Sequence, residues 1–185
     1  MRIRKAGFGY PMRSPVLYFC VAILFAVFCQ NADSRDDVWE KLMAAQKKFH
    51  EGVYQVFVKA HPDLEYSCRL EKSLQTALVD KKREEFYYLL ENDPKRINRS
   101  GGVEMLEKYS WREFDGQKMR DKVPAYGGFV RQIDQLRREI SGDPGRLAVQ
   151  RHFAAVKLLP EYKELIRVYS QTVAKIDEDL KGQAR

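Results

Sequence analysis

Chemistry in this chain has to come from a short inventory of side chains. The imidazoles are His50, His61 and His152, and the thiols are Cys20, Cys29 and Cys68. His50, His61 and Cys68 form the closest grouping of metal-ligand types. They straddle a predicted helix end at spacings that match no zinc pattern, whose three or four ligands recur at set intervals. The sequence has no Cys-x-x-Cys-His for haem, no Gly-x-Ser-x-Gly turn, no His-Glu-x-x-His and no glycine-rich phosphate loop. No metal and no cofactor is expected.

Carboxylates are more plentiful. Glu84 and Glu85 are adjacent, while Glu104 and Glu107, and Glu161 and Glu164, stand three apart. A spacing of three puts two acids on one helical face, where acid and base work on a polymer linkage could take place. Solvated faces carry the same pattern. Glu104 has Lys108 one turn on, and Glu161 follows Pro160 in what reads as a helix first turn, where an acid suits the helix dipole. No residue is therefore assigned a catalytic role.

The stretch that best fits recognition runs over residues 109–129. Tyr109, Trp111, Arg112, Phe114, Tyr126 and Phe129, accompanied by Lys118, Arg120 and Lys122, combine aromatic faces with cations. Such residues on a connection held by a rigid scaffold can bind a partner. The alternative is a long connection pinned onto the scaffold by its aromatics. The basic runs at 81–83 and 137–138 read as solvated faces. Asn98 opens a glycosylation sequon that matters only in a eukaryotic secretory pathway.

The elements that would position these residues begin with an unusual amino-terminal stretch. Residues 16–29 are fourteen consecutive apolar or aromatic side chains behind a basic leader and ahead of Gln30, Asn31 and Asp33. A bilayer span needs about 20 such residues, so the three-part pattern reads as an export signal more than as a permanent anchor. Cleavage could follow Ala32 or Cys29. Lipidation of Cys29, placed as in bacterial lipoproteins, conflicts with Phe28 at a position that pattern reserves for a small residue. Retention of the segment would give membrane contact through residues 16–29. With Cys20 and Cys29 in this segment, Cys68 is left as a buried, inert thiol rather than part of a disulfide framework.

Composition agrees with one globular domain behind that segment. The 185 residues are 44% hydrophobic and 32% charged, with a formal charge of +7. Arg2, Arg4, Lys5 and Arg13 belong to the leader; without them 29 basic residues face 26 acidic ones, or +3. That is too mild and dispersed for nucleic acid, which favours a basic stripe or patch.

Periodicity then predicts an all-α fold, an antiparallel bundle of about four or five helices behind an amino-terminal targeting helix. The expected divisions are 1–32 for the signal or anchor and 33–185 for a single helical domain. Within it, 33–93 forms a helical hairpin, 94–128 an irregular connection with a short helix at about 103–114, and 129–182 a second hairpin. Ser34 and Asp37 resemble a capping box opening a first helix at about residue 36, which His61 and Pro62 stop. Gly52 weakens its interior by about 1 kcal/mol. Asp63 can cap the second helix, and Pro160 should kink or divide the last one.

The resulting expectation is an exported, periplasmic or extracellular, or membrane-anchored, noncatalytic helical protein that binds a protein, peptide or cell-envelope partner. Two other classes stay open: an enzyme acting on envelope polymers through a carboxylate pair, and an uncleaved membrane-associated structural or assembly protein.

Overall fold

The computed structural model describes the backbone of residues 15–98, 101–109 and 111–183, and the side chains of 37–98, 101–104, 106–109 and 111–182. The side chains of the expected targeting segment 16–29, Cys29 among them, lie outside the described residues. Among the described residues no helix is long and apolar enough to cross a membrane. Contacts divide the chain into Met1–Asp37 and Val38–Arg185; the packing below is that of the second unit.

The described residues form seven α-helices and no strand: α1 (Pro15–Ala60), α2 (Glu65–Asn92), α3 (Gly102–Glu107), α4 (Glu113–Lys122), α5 (Pro124–Gly142), α6 (Arg146–Val156) and α7 (Pro160–Gln183). Single 3-10 turns at Pro62–Leu64 and Pro94–Arg96 follow α1 and α2. In both, proline supplies the fixed φ of a helical first turn and cannot extend the helix before it.

Contacts between α1 and α2 show an antiparallel hairpin, because partners descend along α2 as they ascend along α1. Trp39 stacks on Phe86 with ring centroids 4.1 Å apart. Glu40 accepts from Arg83 Nε and Tyr87 Oη, both at 2.6 Å. Lys47 pairs with Asp80 and, further along, Glu51 with Lys72 at 3.0 Å. The opposite face of α2 packs on α5 through Leu70, Ala77, Ile133, Leu136 and Ile140. On the other flank α7 runs back along α1: Phe49 meets Tyr169 at 4.7 Å, and Lys59 meets Glu161 at 3.1 Å. Gly52 sits at this crossing, where a β-carbon would come within 2.5 Å of Leu165 Cδ1. The glycine that weakens α1 on propensity lets α7 approach it closely.

The core has two unequal ends. At one end Val38, Trp39, Leu42, Met43, Phe86, Leu89, Val103, Leu106 and Ile176 are buried together beneath α3. Each large side chain contributes about 1.5–3 kcal/mol by leaving water. Gly102 adopts φ +78, a left-handed conformation that favours glycine. This turn aims the Val103 N–H at Asp177 Oδ1, 2.8 Å away, and fastens α3 to α7. At the other end the buried cluster is only Phe57, Cys68 and Val156, beneath α6.

Several expected boundaries need correction. Ser34 opens no helix, since the α1 backbone is helical from Pro15. Asp63 caps nothing: Leu64 holds the α2 N-cap position, without a side-chain bond. The connection expected to be irregular over 94–128 carries α3 and α4, and α5 starts at Pro124, so Gly127 and Gly128 are helical. Packing of α5 on α2 offsets the glycine penalty of about 1 kcal/mol each. Pro160 does divide the last segment, as the first residue of α7.

Candidate functional site

The structure separates the six residues of the aromatic connection into two sets. Tyr109, Trp111 and Tyr126 converge on the bundle. Tyr109 meets Trp39 edge-on at 6.3 Å, while Trp111 meets Tyr88 at 6.0 Å and Tyr126 at 6.1 Å. Arg112 and Phe114 begin α4 in solvent; Phe114 is 60% exposed, with Lys118 Nζ 4.3 Å over its ring. Phe129 is half-buried on α5.

Beneath the inward set lies Glu85, one of the few buried charged residues. It accepts from Tyr126 Oη at 3.1 Å, lies 3.3 Å from Tyr109 Oη, and pairs with Lys81. Burial first, and then the Glu85 charge, push both tyrosine hydroxyls far above the ordinary range, so they stay protonated and act as donors. Asp115 is the second anchor. Its Oδ2 accepts from Arg96 Nη2 at 2.7 Å and from the Arg112 N–H at 3.0 Å, tying the start of α4 to the turn after α2. These contacts pair the Glu85 and Asp115 carboxylates and the two tyrosine hydroxyls within the protein.

The acid pairs read from the sequence do not meet over a common pocket. Glu85 is buried as described and Glu84 lies 3.7 Å from Arg83. Glu107 pairs with Lys82 at 3.0 Å, whereas Glu104 pairs with Lys108. Glu161 and Glu164 pair with Lys59 and Arg167.

A cavity of about 570 Å³ lies at the other end, between α1, α2, α6 and the start of α7. Phe49, Val53, Tyr54 and Phe57 line it from α1, Val149 and Phe153 from α6, and Tyr162 from α7, with Cys68 on the α2 side. Its polar lining is sparse: His50, Glu71, Lys72, Gln75 and Gln150. Lys72 is already engaged, with Glu51 at 3.0 Å and the Tyr54 ring 4.4 Å from its Nζ. The volume falls within the roughly 300–1,000 Å³ of small-molecule sites, which are mostly apolar with a few polar groups.

Reactivity in this cavity is low. Burial, reinforced by the charges of Glu71, Asp143 and Asp63, pushes the Cys68 thiol up to about 11. A nucleophilic cysteine needs the opposite shift. Burial lowers the His50 imidazole below its ordinary value, so it is neutral at pH 7. Its ring contact is Phe49 at 5.7 Å; among the described residues no carboxylate orients it as it would a general base. His61 turns instead to His152 of α6, with ring centroids 4.1 Å apart. Among the described residues no group of three or more His, Cys, Asp and Glu side chains could hold a metal ion.

Of the lining residues, Phe49, Val53, Phe57, Phe153 and Tyr162 recur at the helical spacing that predicts the bundle. An apolar stripe facing a hollow and one facing a packed core have the same period, so periodicity cannot separate them. The usable signal was residues 144–160, where Arg146, Arg151 and Lys157 occur without a carboxylate and beside Val149 and Phe153. No protein-family description, curated protein or solved structure matches the chain.

Proposed function

We propose that the chain is a noncatalytic binding protein, exported or membrane-anchored, that holds an envelope component in the cavity between α1, α2, α6 and α7. The carrying observation is the cavity itself: about 570 Å³ lined by five aromatic rings and two valines. The inert thiol, the unoriented imidazole and the separately paired acids support binding without turnover. The basic leader and apolar run at 16–29 support a destination at or beyond the membrane. Three of the six residues first nominated for recognition pack into the bundle, which favours the cavity over the aromatic connection.

A neutral apolar fluorophore, N-phenyl-1-naphthylamine, tests this reading on the purified full chain. Saturable enhancement is expected, with affinity falling about tenfold or more in the cavity-filling variants Val149→Trp and Gln75→Trp. Circular dichroism confirms that each variant folds, and the recovered probe should be chemically unchanged. Equal binding by the wild type and both folded variants would place the probe elsewhere and overturn the reading.

A further inference from the structure

We infer that the cavity takes the chain of an anionic single-chain amphiphile, such as a long-chain carboxylate, with its headgroup beside α6. This rests on the cavity being the binding site and adds the ligand class. The apolar interior calls for a chain or flat apolar body, because few polar groups could satisfy a polar ligand. Charge around the opening then selects the headgroup.

On the α2 side, Glu71 is a lining carboxylate and Lys72 is neutralised by Glu51, so an anion gains little there. On the α6 side cations outnumber acids, with Asp143, whose charge reaches Cys68, set against Arg146, Arg151 and Lys157. Arg146, Arg151 and Lys157 stand in a segment with no acid between Asp143 and Glu161, and among the described residues no carboxylate pairs with any of the three. Arg146, Gln150 and Lys157 follow one another at spacings of four and seven, along one edge of the helix. Gln150 lines the cavity, and Lys157 Nζ stands 4.8 Å from the centroid of Phe153, another lining ring. Lys157 therefore stands against a lining ring, and helical spacing puts Arg146 on the same edge of α6.

The outer face of α6 fits delivery from a lipid surface. Leu147, Arg151 and Leu158 recur at spacings of four and seven on the side away from Val149, Phe153 and Val156. Leu147 and Leu158 are 61% and 70% exposed. Exposed leucines beside an unpaired cation form an interfacial surface for an anionic leaflet. Val156 is the single buried residue of α6, and the contacts of Phe153 with Phe57 and Tyr162 and of His152 with His61 complete its attachment to the bundle.

The test uses the full chain in a nonionic amphipathic polymer with two photoactivatable probes of equal length, a diazirine hexadecanoic acid and its alcohol. Adducts are mapped by mass spectrometry, which separates cavity peptides from residues 16–29. The acid should label peptides carrying Val53, Val149 and Phe153 saturably. Arg146→Gln with Lys157→Gln, both exposed positions, should raise its half-saturation about tenfold and leave the alcohol unchanged. Equal labelling by acid and alcohol, indifferent to the double variant, overturns the anionic class while cavity binding stands. Absence of cavity adducts with both probes, with the fluorophore still bound, overturns the amphiphile class alone. Loss of fluorophore binding as well would remove the cavity reading. Phosphatidylglycerol vesicles as donor separate a membrane source from a free one: Leu147→Gln with Leu158→Gln should slow loading from vesicles but not from solution.

Discussion

Removing Asp115 should detach the connection between α2 and α5 at its most buried ion pair. The Arg96 and Asp115 side chains are 12% and 11% exposed, and their 2.7 Å bond carries opposite charges. A charge-assisted bond of this kind contributes about 1.5–3 kcal/mol. The Arg112 N–H bond to the same oxygen, at 3.0 Å, caps α4 and adds about 1 kcal/mol. Alanine also takes from a nearly buried guanidinium its closest carboxylate, which brings the expected loss to about 3–5 kcal/mol. Asparagine keeps the cap and a neutral hydrogen bond, for a loss of about 1.5–3 kcal/mol. The Arg96 bond, aided by the Arg112 N–H and opposed by burial, holds the Asp115 carboxyl below its ordinary value. A depressed carboxyl stabilises the fold above the ordinary value of 3.8, and that contribution fades as pH falls through the folded value. Urea unfolding followed by circular dichroism should show a wild-type advantage over Asp115→Asn that is full at pH 7 and closes in strong acid. An Asp115→Ala loss below about 0.5 kcal/mol, or a pH-independent gap to Asp115→Asn, would refute the anchoring role.

Three further outcomes follow from the packing. Trp111→Ala should cost about 1.5–3 kcal/mol in urea unfolding, because it removes two ring contacts and a donor to Tyr126, whereas Phe114→Ala should stay within about 0.5 kcal/mol. Gly102→Ala should lower stability by about 1–3 kcal/mol, measured the same way, since its φ of +78 disfavours a side chain and a β-carbon would collide with Asp177. Cys68, with its thiol at about 11 against an ordinary 9.0, should alkylate about 100-fold more slowly at pH 8 than an unhindered cysteine. Peptide mapping after timed iodoacetamide exposure reads Cys68 apart from Cys20 and Cys29.

Helix class was legible because the apolar stripes of α1, α2, α5 and α7 repeat at the helical period over several turns. Pro62, Pro94 and Pro160 marked real boundaries for a local reason, since proline has no N–H to donate to the preceding turn and its ring clashes with that turn. Boundaries that depend on tertiary packing were harder to read. Gly127 and Gly128 look like a turn in isolation, and burial of Tyr126, Gly127 and Ile133 beside α2 and α4 carries the helix through them. Gly52 was legible as a cost but not as the surface against which Leu165 rests. The aromatic connection was visible as a cluster of types; that Tyr109 and Tyr126 turn inward depends on Glu85, more than twenty residues upstream. The cavity is not legible in the sequence because a stripe records which residues avoid water and not how tightly they meet.

Methyl-resolved nuclear magnetic resonance of the full chain during titration with hexadecanoate tests the cavity most directly. The methyls of Val53 and Val149 should shift and saturate together, while Val38, Leu89 and Val103 at the opposite end of the bundle remain unmoved. Unchanged Val53 and Val149 signals under saturating ligand, or equal shifts at both ends, would contradict a binding site between α1, α2, α6 and α7.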